Sequence, residues 1–283
     1  MKFAVKSAIV LFAASASPVF AQEEAEPVEA SVLDGDWLTL GIGGGYGPSY
    51  EGSDDGVFFP APLAQGSVSG FDFGVRGPGL YVDLIRDSDS DSNVQLIAGP
   101  LVRLRFDRHT QIKDPVVKLL GKRDLAVEVG ATGGVLFKKV LHDYDFLTVT
   151  SDIQWDVAGA HEGRLITPAI SYTTPLSPGI LTNLTLSASH VDDNYAQTYF
   201  SVDTVGSAAS GLPVFNADGG WKNYGGTFLL GVDLSGDIRD GGWSLFGLSS
   251  YSKLTGDAKR SPVTSIRGDA DQWLFLGGVS YTF

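Results

Sequence analysis

DQWLFLGGVSYTF, residues 271–283, is the stretch from which the fold is read. Counting back from Phe283, alternate positions are Tyr281, Val279, Gly277, Phe275 and Trp273, and the intervening ones are Thr282, Ser280, Gly278, Leu276 and Leu274. A period of two marks a β-strand with one aromatic, apolar face and one face that is mostly small or polar. The strand is long enough to cross a bilayer, and its aromatics lie near both ends, where membrane–water interfaces hold them. Trp273, Phe275, Tyr281 and Phe283 are therefore expected to act as the assembly signal of an outer-membrane β-barrel. As the edge of a soluble sheet, the same face would be an uncovered, aggregating band.

The start of the chain agrees with export. Lys2 and Lys6, an apolar core over 8–14 and Val19-Phe20-Ala21 read as a cleaved signal peptide over residues 1–21. Residues 22–35 are acidic with little apolar content and are expected to be a flexible tail, leaving 36–283 as the barrel. Beyond the leader there is no apolar run of eighteen residues, so a helical membrane protein is excluded. The chain has no Cys, which removes disulfides and thiolate chemistry. Losing the two leader lysines takes the formal charge from −13 to −15, which disfavours nucleic acid as a partner. The 36 Gly and 11% aromatic residues suit a chain of many strands and turns, with a large β-sandwich as the soluble alternative.

From Asp36 onward, alternating segments predict about twelve strands, at 36–46, 57–69, 71–85, 93–106, 125–138, 145–158, 164–174, 180–191, 195–203, 221–234, 242–254 and 271–283. The faces of several are explicit. Val94, Leu96, Ala98, Val102, Leu104 and Phe106 oppose Gln95, Arg103 and Arg105, and Val127 and Val129 oppose Glu128. In a barrel the polar set faces the lumen, so Arg76, Asp83, Arg103, Arg105, Glu128, Asp152 and Asp156 are the predicted lumen-facing charge cluster. It either plugs the interior with salt bridges or lines a narrow pore. The phase of 71–85 slips across Gly77-Pro78-Gly79, which predicts a bulge or bend. Pro60 and Pro62 make 57–65 the least regular strand.

No constellation calls for catalysis, a cofactor or a metal. Asp87, Asp89 and Asp91 begin like a calcium loop, but Ser92 and Ala98 stand where Gly and a bidentate carboxylate are needed. With Glu51, Asp54 and Asp55, expected on the same side, they either bind divalent cations bridging lipopolysaccharide or are solvated, charge-rich loops that keep the strand ends soluble. Gly41, Gly43, Gly44 and Gly45 lack the helix and Lys of a phosphate loop and read as strand glycines. His190 shares the parity of Leu184, Leu186 and Ala188, away from Ser187 and Ser189, so it cannot serve them as a base. His109, His142 and His161 sit in or beside loops with no partner pattern.

GYGPSYEGSDD (45–55), NYAQTYFSVDT (194–204), SGLPVFNADGGWK (210–222), KLTGDAKRSPV (253–263) and the final SYTF resemble the MipA/OmpV family of outer-membrane proteins, over nearly the whole stretch from Asp36 to Phe283. The resemblance implies an outer-membrane barrel without catalytic residues. It also implies a scaffold role for periplasmic peptidoglycan-remodelling enzymes, a lytic transglycosylase or a peptidoglycan synthase. Other members are described as surface antigens or adhesins, and a small-solute pore is the further alternative.

Residues 107–124, DRHTQIKDPVVKLLGKRD, break the strand rhythm. Counting crossings from a periplasmic N-terminus puts them on the periplasmic side. Asp114-Pro115 starts a short helix with Val116, Val117, Leu119 and Leu120 on it and Gly121 after it. With Lys113, Lys118 and Lys122, this is the candidate partner-docking surface; the alternatives are that the helix folds into the barrel mouth as a plug, or that the strand count is off by one and the segment is an extracellular loop.

Overall fold

The structure, a computed structural model, describes residues 31–86 and 92–283. The expected signal peptide, most of the acidic tail, and Asp87, Asp89 and Asp91 lie outside the described residues. Twelve strands follow in order: β1 (Trp37–Pro48), β2 (Gly56–Val68), β3 (Phe71–Val75), β4 (Gly79–Val82), β5 (Val94–Arg105), β6 (Ala126–Lys138), β7 (Phe146–Asp156), β8 (Arg164–Ser177), β9 (Ile180–Val191), β10 (Gly220–Asp233), β11 (Gly242–Leu254) and β12 (Asp271–Thr282). Each pairs antiparallel with its sequence neighbours, and β12 pairs with both β11 and β1, closing the sheet into a barrel. Closure leaves no unpaired outer edges for lipid to meet, except where one strand outruns its neighbour.

The alternation in sequence becomes the two faces of the wall. Leu40, Ile42, Leu96, Val129, Trp155, Leu184, Phe228, Trp243 and Trp273 project outward and are exposed. Thr39, Glu128, Thr132, Asp152, Gln154 and Ser280 face the interior and are buried. Aromatic contacts mark both ends of the exterior: Tyr251 meets Trp273 at 4.9 Å near one mouth, and Trp243 meets Tyr281 at 5.2 Å near the other. The terminal strand is tied in by Phe283, whose N–H donates to the Leu38 carbonyl at 2.9 Å. Gly41, Gly43, Gly45 and Gly47 of β1 lie on its inner face, in phase with Thr39, and a side chain at Gly45 would run into the Phe59 ring.

Two corrections leave the strand total unchanged. Residues 71–85 are not one bent strand but two short ones, β3 and β4, joined at 76–78, where Gly77 takes a positive φ of 61° and the Arg76 N–H donates to the Gly79 carbonyl at 2.9 Å. Residues 195–203 are not a strand. They fall largely in helix α1 (Asp193–Phe200), whose buried side chains Tyr195, Ala196, Tyr199 and Phe200 recur at helical spacing. Asp192 caps it, accepting from the Tyr195 N–H at 3.1 Å. Pro60 and Pro62 do lie in a strand, paired with Gly44 and Ile42.

The extra crossing moves one connection to the other end. Residues 106–125 leave the barrel at the mouth opposite Trp37 and Thr282, together with 49–55, 157–163, 192–219 and 255–270. The acidic loop at Glu51, Asp54 and Asp55 belongs to this same mouth. The five long connections fold over their mouth as a cap. Tyr50, Ile112, Val117, Val202, Leu212 and Val263, drawn from four of them, form one buried apolar cluster. Helices α2 (Thr204–Ser210), α3 (Gly256–Arg260) and α4 (Pro262–Ser265) belong to the same layer. Each fully buried large apolar side chain contributes about 1.5–3 kcal/mol by leaving water.

Candidate functional site

Beneath the cap lies a buried polar network built from distant parts of the chain. Lys222 sits where β10 slips register against β9, between Trp221 paired with His190 and Asn223 paired with Ser189. The bulge turns its ammonium inward, where Nζ lies 2.5 Å from Glu51 Oε1 and donates to the Tyr195 hydroxyl at 3.1 Å. The Tyr195 hydroxyl donates in turn to Glu51 Oε2 at 2.8 Å. Its ring is flanked by two cations, with Lys222 Nζ 4.9 Å and Arg105 5.0 Å from the centroid. Arg105 meets Glu128 through Nε at 2.5 Å and a second nitrogen at 3.3 Å.

His161, from the connection between β7 and β8, completes the chain of contacts. Its Nδ1 accepts the Gly163 N–H at 3.0 Å, so Nε2 carries the proton in the neutral ring and donates to Glu128 Oε1 at 3.2 Å. Its ring packs edge-on to Tyr195 at 5.0 Å. Sequence reasoning found no partner for this histidine. The contact spans 33 positions, and no local pattern encodes it.

The loop groups titrate as this crowding demands. Burial pushes the Glu51 carboxyl up, but the charges of Lys222 and Arg105 and the hydrogen bonds from Lys222 and Tyr195 leave it below its ordinary value. Asp107, which accepts the Glu51 N–H at 2.7 Å, is raised by burial and then by the Glu51 charge. Arg108 lies almost fully buried against the Tyr199 and Gly121 carbonyls, and burial lowers its guanidinium to about 10. Asp114 staples two cap loops. It accepts the Val116 and Val117 N–H groups at 2.8 Å and two Arg267 nitrogens at 3.0 and 2.7 Å. Burial raises its carboxyl, and these donors outweigh that.

The predicted lumen cluster divides into three. Arg105 pairs with Glu128, and Arg76 reaches across to Asp152 at 2.5 Å. Asp83 and Asp156 instead accept backbone N–H groups at strand ends: Ile85 and Ala98 for Asp83, and Ala158, His161 and Glu162 for Asp156. Arg103 stands beside Arg105 and Glu128 with its Nε buried and unbonded. In the candidate docking segment, Val117 is fully buried, and Val116 and Leu120 pack against the cap cluster. Lys113, Lys118, Leu119 and Lys122 stay exposed. The expected helix is a single 3-10 turn, Val117–Leu120. His190 faces outward, edge-on to Trp221 at 5.4 Å, as an interfacial side chain would. Among the described residues, no group of three or more His, Asp or Glu side chains could hold a metal ion.

The family model described as MltA-interacting protein MipA matches residues 40–283. No curated protein matches the chain. Among solved structures, the outer-membrane channel of Pseudomonas putida F1 is 10% identical with a TM-score of 0.46, the alignment covering 92% of this chain and all of that one. The CymD monoaromatic hydrocarbon channel is 11% identical, TM-score 0.40, with 89% of each chain covered. A Pseudomonas aeruginosa FadL homologue is 10% identical, TM-score 0.36, covering 88% of this chain and 90% of that one.

Proposed function

The chain belongs to the family of the MltA-interacting protein MipA, and on that premise we infer that it is a non-enzymatic outer-membrane barrel that binds a periplasmic peptidoglycan-remodelling enzyme. A lytic transglycosylase is the partner that the family description suggests, with a peptidoglycan synthase as the second candidate. The observation that carries the reading is the capped mouth: a lumen closed by a buried Glu51–Lys222–Tyr195 network suits an interaction protein better than an open pore. Trp37, which opens β1, and Phe283 lie at the uncapped end, which we place in the periplasm. There the connections are shorter and exposed Asp34, Asp36, Asp143 and Asp240 make the rim acidic. Such a rim fits a basic surface on the partner.

Photo-crosslinking side chains placed at Asp143 and Asp240 in growing cells should capture a peptidoglycan enzyme, while the same group at Lys118 on the cap should not. Capture from Lys118 alone, or none from any of the three sites, would overturn the reading.

A further inference from the structure

The barrel wall is not of even height. β2 pairs with β1 over its full length, from Gly56 to Ser67, but with β3 only over Gln65–Val68. The β3–β4 hairpin turns back at 76–78 beside Leu104 of β5, whose N–H donates to the Pro78 carbonyl at 3.0 Å. Residues 56–64 of β2 therefore run past the hairpin tip with no ladder partner on that edge among the described residues. The result is a notch in the wall just below the capped mouth.

An unpaired strand edge facing lipid is costly, because its N–H and C=O groups find no water. Here the sequence lowers that cost. The Ser49 N–H donates to the Asp55 carbonyl, which sets the parity of the β1–β2 ladder and turns the backbone of positions 60 and 62 toward the notch. Both are Pro, with no N–H to leave unsatisfied. Phe58, 79% exposed, lies outside on the same edge.

What the notch opens onto is two-sided. On one side an apolar row crosses the inner wall in register, Leu229 to Leu248 to Leu276 to Gly45 to Phe59, ending on the free edge of β2. On the other, Arg103 is the register partner of Gly79 at the hairpin tip. Its neighbours Arg76 and Arg105 are matched by Asp152 and Glu128, so three guanidinium groups face two paired carboxylates. Arg103 is the cation left over, in no ion pair among the described residues, with Nε buried and unbonded.

We propose that the lumen binds a small amphipathic anion, its carboxylate or phosphate on Arg103 and its apolar body along the Phe59–Leu276–Leu248 wall, and exchanges it with the membrane laterally through the notch above the β3–β4 hairpin. A capped mouth does not obstruct this route. The site does not depend on the partner-binding reading, and either can fail alone.

The test uses the full mature chain in nanodiscs, with dodecanoate as the probe and dodecyltrimethylammonium as the charge-reversed control. Saturable binding of dodecanoate and not of the cation is expected. Arg103→Gln should weaken it about tenfold, the loss expected for a charged hydrogen bond, and Arg103→Lys should recover much of it. Normal heat-modifiable migration of both variants shows that the barrel still folds. Since the chain lacks Cys, Pro62→Cys can be labelled singly with a bulky maleimide, which should slow dodecanoate uptake from the bilayer while leaving equilibrium affinity unchanged. Equal binding of both amphiphiles, or undiminished affinity in Arg103→Gln, overturns the site; uptake unaffected by the label overturns the lateral route.

Discussion

Lys222 and Glu51, 171 residues apart in sequence, meet at 2.5 Å with the lysine side chain only 4% exposed. The bulge in β10 points one partner inward, and the β1–β2 connection brings the other down from the cap. Removing one member leaves the other buried and unmatched, which costs about 3 kcal/mol or more. Lys222→Met should therefore loosen the cap, read as faster protease cleavage within 106–125 and 192–219 of the folded barrel. The double variant Glu51→Gln/Lys222→Met should be closer to wild type than either single one.

Acid should loosen the same cap. Glu51 and Asp114 are held below the ordinary carboxylate range, so their charged forms favour the closed arrangement. That contribution is complete above the ordinary range, near pH 4, and is lost as pH falls through their lowered values. Asp107 is raised and takes its proton first, which relieves the Glu51 repulsion and delays the loss. Protease resistance of the cap should persist from neutral pH through mild acid and fall reversibly below about pH 4.

Assembly should depend on the terminal strand. Phe283 and Leu38 exchange two backbone hydrogen bonds, at 2.9 and 3.4 Å, and the Phe283 ring packs on Tyr281 at 4.7 Å. Deleting Phe283 removes both bonds at the point where the first and last strands join. Less heat-modifiable barrel in the outer membrane and more unfolded chain in the periplasm are expected.

Asp192→Ala should weaken the cap from within. Asp192 accepts the Tyr195 N–H through one oxygen and the Arg164 N–H at 2.8 Å through the other. Losing a helix cap costs about 1 kcal/mol, and here the helix carries Tyr195 into the network. Hydrogen exchange of 193–200 should accelerate while that of the β-strands is unchanged.

The wall of this barrel was legible because each strand carries its own evidence. The parity of Val94 to Phe106 or Leu147 to Val157 is a local fact, and the structure keeps it. The helix at 193–200 reads as a strand because Ala196, Thr198, Phe200 and Val202 alternate over a short run, whereas the buried set, Tyr195, Ala196, Tyr199 and Phe200, has helical spacing behind the Asp192 cap. The hairpin at 76–78 reads as a bend because a phase slip across Gly77-Pro78-Gly79 is the same for a bulge within one strand as for a reversal between two short ones. The two errors cancelled in the strand total but not in sidedness, and so 106–125 changed ends. The charge cluster was half legible: inward parity found Arg105 and Glu128, but Glu51, Lys222, Tyr195 and His161 come from loops and a bulge, where no period applies.

The cap also has a place in time. The Tyr50 hydroxyl donates to the Arg267 carbonyl across 217 positions, and Ser261 Oγ donates to the Phe200 carbonyl across 61. Such contacts are costly to form before the strands between them have been laid side by side, because a chain must close the intervening loop before the contact rewards it. The cap is therefore expected to complete late, after neighbouring strands have paired. A barrel that stalls open in the assembly machinery would display Tyr195, Phe200 and Val263 uncovered, a ready distinguishing mark between a finished molecule and an unfinished one.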